Sequence, residues 1–419
     1  MSETIFISPG KLSGNVKAPA SKSFAHRALI CAALASSCGS TTLTNIDMNN
    51  DIKATMDCLV TLGFKIQYEG NTIKVLENLS SSGDEIEAPI ELNCRESGST
   101  LRFMIPLAAA LGKTTIFTGE GRLPSRPIGE FNSIFHHKGI VLETTDGALP
   151  LKIFGQLNPG MFQASGNISS QYITGLLMVL PTLRSDSEIR LLTPLESAPY
   201  VDITIEVMEK FGVKVEKIED GFLVKGGQKY KAIEYEIEGD YSQAAFWMAE
   251  DYLDGTDGIK ISGLNEKTVQ GDKAIIKALK LLKETAHERT IDASQIPDLV
   301  PILAGVAALT AGTTNIINAG RLRIKESDRL AAVTDVLKKI GANIEEFSDK
   351  LVITGKDELQ GGSANAWNDH RIAMMLAIIA PHTKKGIKLE GYKCVEKSYP
   401  NFFDEFARLG GKINELNLG

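Results

Sequence analysis

Apolar and polar positions along this chain follow a pattern that repeats. A small or polar start leads into an apolar helix of roughly three turns, then a Gly/Thr-rich break, then a short strand of alternating character. The pattern occurs at Ser21 to Asn45, Gly98 to Thr118, Ser169 to Leu192, Asp240 to Gly263, Ile296 to Asn318 and Asp369 to Gly391. A second, more polar helix follows, often ending at a glycine suited to a C-cap, as in Asp51 to Gly63, Ile128 to Gly139, Val201 to Gly212 and Asp328 to Gly341. Hairpin turns come next at Glu69-Gly70-Asn71, Asp146-Gly147, Asp220-Gly221 and Ser348-Asp349.

Each unit is therefore βαβαββ in outline, and the fold class is α/β. The fourth copy is degenerate around Lys273 to Ile291, and the sixth, Asn401 to Leu418, stops before its hairpin closes. The units are too long for the common solenoid repeats, which favours two similar domains of three units each. The break falls near Glu238-Gly239-Asp240. A strand expected over Ile5 to Val16 precedes the first full unit and fits either domain.

Composition narrows the function. Among 419 residues, 43% are apolar and 23% charged, as in ordinary globular proteins. The net charge of -7 argues against nucleic acid as the main partner, because phosphate-backbone binding needs a basic surface. Five scattered cysteines form no Cys-x-x-Cys pair, which points to reduced thiols, a cytoplasmic setting and no zinc site. The six histidines show no metal-like spacing. There is neither a signal-peptide pattern nor an apolar run of membrane-spanning length.

The cations that matter are local. Arg321-Leu-Arg-Ile-Lys-Glu-Ser-Asp-Arg329 packs four cations and two acids into nine residues. A helix running from about Ile324 puts Lys325 and Arg329 on one face, where like charges repel and a bound anion removes the penalty. Against this stands a solvated helix start whose cations are neutralised by Glu326 and Asp328. The starts of the other apolar helices carry similar groups: Ser21-Lys22-Ser23 with Arg27, Ser97-Gly98-Ser99-Thr100 with Arg102, Ser169-Ser170-Gln171, Gln295-Ile-Pro-Asp298 and Asn368-Asp369-His370-Arg371. Any one of these serines or aspartates reads equally as an N-cap. Together they place hydroxyls and cations where helix N-termini favour phosphate or carboxylate. Arg122, Arg126 and Lys397 add cations in connecting segments. The sum is a cleft for small polyanions, without a Walker-type loop. Asp298 and Glu326 are the candidate acid and base, since neighbouring cations would tune them.

These residues carry a resemblance. Ala18-Pro-Ala-Ser-Lys-Ser23, Gly98 to Arg102, Arg122-Leu-Pro-Ser-Arg-Pro-Ile-Gly129, Ser169-Ser-Gln171, Ser197-Ala-Pro-Tyr-Val-Asp202, Arg323 to Arg329 and Asn368-Asp-His-Arg371 make the chain similar, along nearly its whole length, to the 5-enolpyruvylshikimate-3-phosphate synthases. The resemblance implies the inside-out α/β barrel of the enolpyruvyl transferases. One domain would hold residues 1–19 and 240–419 and the other residues 20–239, closing on substrate in the cleft between them. It implies transfer of enolpyruvyl from phosphoenolpyruvate to the 5-hydroxyl of shikimate 3-phosphate through a tetrahedral intermediate, with no cofactor.

By the same resemblance, Lys22, Ser23, Arg27, Ser169, Ser170, Gln171, Ser197, Tyr200, Asp298, Arg321 and Lys325 would hold shikimate 3-phosphate. Lys22, Gly98, Arg126, Gln171, Arg329, Arg371 and Lys397 would hold phosphoenolpyruvate. Lys22 and Asp298 would manage the hydroxyl proton and Glu326 the methylene proton. Gly98 matches the form that admits the inhibitor glyphosate, and a monomer is implied. Two positions depart from the pattern: Arg321 stands where the family often has Asn, and Phe103 where many members have Pro. The sister enzymes acting on UDP-N-acetylglucosamine usually carry a reactive cysteine or aspartate on the loop matching Gly119 to Ser125, whose only acid here is Glu120. A non-catalytic anion-binding protein would gain nothing from Asp298 and Glu326 beside its cations.

Overall fold

The computed structural model describes residues 3–78, 88–255, 258–284 and 287–416. The chain divides into two compact units, Met1–Pro19 with Gly239–Gly419, and Ala20–Glu238. Among the described residues each unit holds three small sheets.

One unit shows the rule best. Strand Ile90–Asn93 enters helix Gly98–Ala110, which returns to strand Thr115–Thr118, parallel to the first. The hairpin Ile140–Thr145 with Ala148–Gly155 then pairs antiparallel with the second strand. The same order builds Met161–Ala164 with Ser187–Leu191 and Glu288–Asp292 with Thr313–Ile317, each again completed by a hairpin.

The helices that the apolar runs predict are buried on every side, as an all-round apolar helix must be. All nine residues of Val300–Ala308 and all ten of His370–Ile379 are buried. Helices Lys22–Ala35, Gly98–Ala110 and Ser170–Val179 fill the interior of the N-terminal unit in the same way. Gly175 lets two of them meet, since a Cβ there would stand 2.5 Å from the Arg102 carbonyl. The charged residues of the motifs thus sit at the N-terminal ends of buried helices, on a rigid base.

Four expectations need correction. The span Ile5 to Val16 is two strands, Thr4–Ile7 and Gly14–Lys17, separated by a Ser-Pro-Gly stretch unfit to continue a ladder. Thr4–Ile7 pairs with both Ile387–Glu390 and Ile413–Glu415, so the hairpin that the sixth unit lacks in sequence is completed from the chain's beginning. The end of that unit as read from sequence, Asn401 to Leu418, runs past the described residues. The helix expected over Ile128 to Gly139 is only Glu130–Ile134, because His137 and Gly139 adopt positive φ and turn the chain out of the helix.

The fourth correction concerns the central motif. Its helix begins at Arg329, not near Ile324, because the Asp328 carboxylate caps it by accepting from the Ala331 amide at 3.1 Å. Residues Gly320–Ile324 form a 3₁₀ turn and Lys325 is extended. Lys325 and Arg329 are therefore not one helical turn apart, and helical spacing is not what brings their charges together.

The fourth repeat is degenerate in a specific way. Among the described residues its strand Ile259–Ser262 has no hairpin and pairs in parallel with Gly14–Lys17. Correspondingly, Glu234–Glu236 pairs in parallel with Thr41–Thr44 in the other unit. Each strand that precedes a change of unit stays with the unit being left.

Candidate active site

The C-terminal unit carries seven of the predicted residues, and Arg329 is the centre of their ion pairs. Arg329, 1% exposed, opens helix Arg329–Lys339. Its guanidinium donates from Nε to Asp369 Oδ2, from Nη1 to Asp298 Oδ1 and from Nη2 to Glu326 Oε2, each at 2.9 Å. The second Asp298 oxygen accepts from Arg371 Nη2 at 2.9 Å, and Arg371 also donates to the Ser242 hydroxyl and to the Asp298 carbonyl. Arg321 donates to the Ser294 carbonyl at 2.7 Å, and Lys397 Nζ to the Asn368 carbonyl at 2.8 Å. Lys325 lies within electrostatic reach of Asp298, Arg321, Glu326 and Arg329.

Charge decides what this cluster binds. Lys325, Arg329 and Arg371 interact with three carboxylates, Asp298, Glu326 and Asp369, while Arg321 and Lys397 are held by backbone carbonyls, so the group as a whole has positive charge in excess. Burial opposes ionisation of Asp298, but Arg371, Lys325 and Arg329 outweigh it and hold that carboxyl well below the usual range. Asp369 is likewise lowered against its burial, chiefly by Arg329. Lys325 moves the other way. Burial, with Arg321 and Arg329, brings its ammonium down to about 8, although Asp298 and Glu326 pull it up. Such shifts beside an excess of cations suit an anion site with proton transfer in it.

The N-terminal unit carries a second group. Lys22, in the first turn of helix Lys22–Ala35, is paired with Asp51 at 2.7 Å. The Asp51 carbonyl accepts from the Thr100 hydroxyl at 3.4 Å, which ties that pair to the start of helix Gly98–Ala110. Arg27 is buried and held from Nε by Thr204 at 2.7 Å, and by the carbonyls of Ser23 and Tyr200 at 2.8 and 2.9 Å. Burial brings its guanidinium down to about 10. The Tyr200 carbonyl accepts from Arg27 Nη2. Ser197, at φ 54, lies in the left-handed region just before helix Ala198–Lys210, which carries Tyr200.

Around Gly98 the packing is close. A Cβ there would stand 2.4 Å from Arg126 Nη1 and 2.8 Å from Arg102 Nη1, so only glycine leaves both guanidinium groups in place. Arg102 donates to Gln171 Oε1 at 3.2 Å and to the Pro127 carbonyl at 3.0 Å, and Gln171 donates to the Ser99 hydroxyl at 2.9 Å. Ser169 caps helix Ser170–Val179 through the Gln171 amide, and Ser170 is buried in its first turn. Predicted residues here therefore divide between a set around Arg27 and a set around Gly98, with the Lys22–Asp51 pair beside the latter.

Sequence reading noted Arg102 but did not place it in the site, and gave no role to Asp51, Ser242 or Asp369. Asp369 is the most consequential of these. It is fully buried, accepts from Arg329 and from the Ser327 hydroxyl at 3.0 Å, and caps helix His370–Ile379 through the Arg371 amide at 3.0 Å. Its position just before a helix was the available signal, and that signal reads first as a cap. Among the described residues no cluster of His, Cys, Asp and Glu is arranged to hold a metal ion. No helix is long and apolar enough to cross a membrane.

Comparison with known proteins agrees with this geometry. Residues 7–406 match the family model described as EPSP synthase (3-phosphoshikimate 1-carboxyvinyltransferase). The chain is 46% identical to the 3-phosphoshikimate 1-carboxyvinyltransferase of Clostridium kluyveri and 44% identical to that of Clostridium acetobutylicum, covering 99% of each chain in both pairs. Among solved structures, an EPSP synthase from Acinetobacter baumannii shares the fold with a TM-score of 0.81 at 23% identity, over 99% of this chain and 100% of that one. The α/β fold of two three-sheet units and these relatives together place the chain in the EPSP synthase family.

Proposed function

We propose that the chain transfers the enolpyruvyl group of phosphoenolpyruvate to the 5-hydroxyl of shikimate 3-phosphate and releases phosphate, and that the two charged groups contribute to one site. The observation that carries this reading is the C-terminal cluster, where cations exceed carboxylates while Asp298 and Glu326 share one guanidinium. Both substrates are anions, and both steps move a proton.

In the addition, the substrate oxygen bonds to C2 of phosphoenolpyruvate, its proton leaves, and C3 gains a proton. In the elimination, C3 loses a proton and the C2–O bond to phosphate breaks. Asp298 and Lys22 suit the hydroxyl proton, and Glu326 the C3 proton. Arg126, Arg329, Arg371 and Lys397 suit the carboxylate and phosphate of phosphoenolpyruvate, with Gly98 lining its pocket and Gln171 reaching both substrates. Ser23, Arg27, Ser169, Ser170, Ser197, Tyr200, Arg321 and Lys325 suit shikimate 3-phosphate. Fixed donors aimed at developing charge do most of the work in such a site. Glyphosate competes with phosphoenolpyruvate in this reading, and the enzyme acts as a cytoplasmic monomer.

Phosphate release from phosphoenolpyruvate, with shikimate 3-phosphate or UDP-N-acetylglucosamine as acceptor and no added metal, tests the proposal. Release with shikimate 3-phosphate alone is expected. Release with only the nucleotide sugar overturns the acceptor, and release with neither overturns the reaction.

A further inference from the structure

Trp367 and Asn368 follow one another in the left-handed region, at φ 54 and 52, where residues with a Cβ are rarely found and consecutive ones more rarely. A turn of this kind persists only where its surroundings fix it. Three bonds do so. The Trp367 amide donates to Asn365 Oδ1 at 2.8 Å, the Asp369 amide donates to the Ala366 carbonyl at 2.9 Å, and the indole Nε1 donates to Asp335 Oδ2 at 3.0 Å. The first two are local. The third reaches helix Arg329–Lys339, whose first residue is the central arginine.

The turn has two outputs. The Asn368 carbonyl accepts from Lys397 Nζ at 2.8 Å, and the next residue, Asp369, accepts from Arg329 Nε at 2.9 Å. Trp367 itself is 38% exposed, so hydrophobic burial does not account for so large a ring at this position. Its polar N–H, directed at a carboxylate, does.

We propose that Trp367 and Asp335 are positioning residues for Lys397: the indole–carboxylate bond holds the left-handed turn whose carbonyl fixes the lysine ammonium. The inference rests on the reading of Lys397 as a phosphoenolpyruvate contact. Loss of the bond lets the turn relax, moves the Asn368 carbonyl, and weakens the grip on phosphoenolpyruvate more than that on the other substrate.

The test compares Trp367→Phe, which keeps an aromatic ring and loses the N–H, with Asp335→Ala and Asp335→Asn, the last of which keeps an accepting oxygen. Initial rates are measured on the full chain with each substrate varied at saturation of the other, beside melting temperatures. Expected is a rise of about fivefold in KM for phosphoenolpyruvate for Trp367→Phe and Asp335→Ala, with KM for shikimate 3-phosphate changed less than about twofold. Asp335→Asn should recover most of the loss, and the double variant Trp367→Phe/Asp335→Ala should be no worse than either single one, as for two ends of one interaction. Equal rises in both KM values, or a lowered melting temperature with unchanged KM in Asp335→Ala, overturn the proposal. Turnover by the unmutated protein, measured alongside, separates this outcome from failure of the functional reading itself.

Discussion

Lys325 sits partly buried among two arginines and two carboxylates, with its ammonium brought down to about 8 from an ordinary 10.5. The sign of the consequence follows. Below about pH 8 the amine carries its proton and attracts an anion; above it the free protein holds a neutral amine, and binding must recruit a proton. We expect kcat/KM for shikimate 3-phosphate to fall as pH rises through about 8, by up to ~tenfold per unit. Lys325→Arg should remove this break, because a guanidinium stays charged throughout. A pH profile of initial rates for both proteins checks it, and a break unchanged in the arginine variant assigns it elsewhere. At this scale the cations were legible in sequence because they cluster, as were Asp298 and Glu326 beside them, whereas two other partners were not. Asp369 and Asp51 stand at helix starts, where an aspartate is ordinarily a cap, and only the fold shows Asp369 serving both as a cap and as the buried counter-charge of Arg329.

Helix Gly98–Ala110 shows how an element sets a pocket. It begins at a glycine because two guanidinium groups close over that point, with Arg126 Nη1 only 2.4 Å from where a Cβ would lie. Gly98→Ala should push both aside, at an overpacking cost of about 1–3 kcal/mol. Expected is a rise of ~tenfold in KM for phosphoenolpyruvate and at least as large a loss of glyphosate inhibition, with the helix intact by circular dichroism. Unchanged KM would mean that the guanidinium groups relax freely. Elements were the most legible level of this molecule, since six copies of one pattern reinforce each other where any single short strand is ambiguous. The errors fell at the ends of elements. A carboxylate cap moved one helix start to Arg329, and a Ser-Pro-Gly stretch between two separately paired strands split the first strand in two.

The proposed contacts divide between two units that the chain joins at Pro19 to Ala20 and at Glu238 to Gly239. Each carries cations in excess of its carboxylates among the site residues, so an anionic substrate is held largely by charge. Affinity for shikimate 3-phosphate, measured by calorimetry, should therefore fall as salt is raised. An affinity independent of salt would mean that these cations do not hold it. The division itself was readable from the polar stretch at Glu238 to Asp240. Which sheet keeps the strand before each crossing was not, because no local pattern tells a strand which sheet receives it.

The order of the two units along the chain bears on how the molecule comes off the ribosome. The unit spanning Ala20–Glu238 is continuous, and its last strand, Glu234–Glu236, arrives just before synthesis leaves it. The other unit cannot finish so early. Thr4–Ile7 precedes the whole of Ala20–Glu238 in the chain, yet its partners are Ile387–Glu390 and Ile413–Glu415, which at ribosomal rates emerge on the order of a minute after it. Throughout that interval the apolar Ile5 and Ile7, fully buried in the finished protein, lack the strands that cover them.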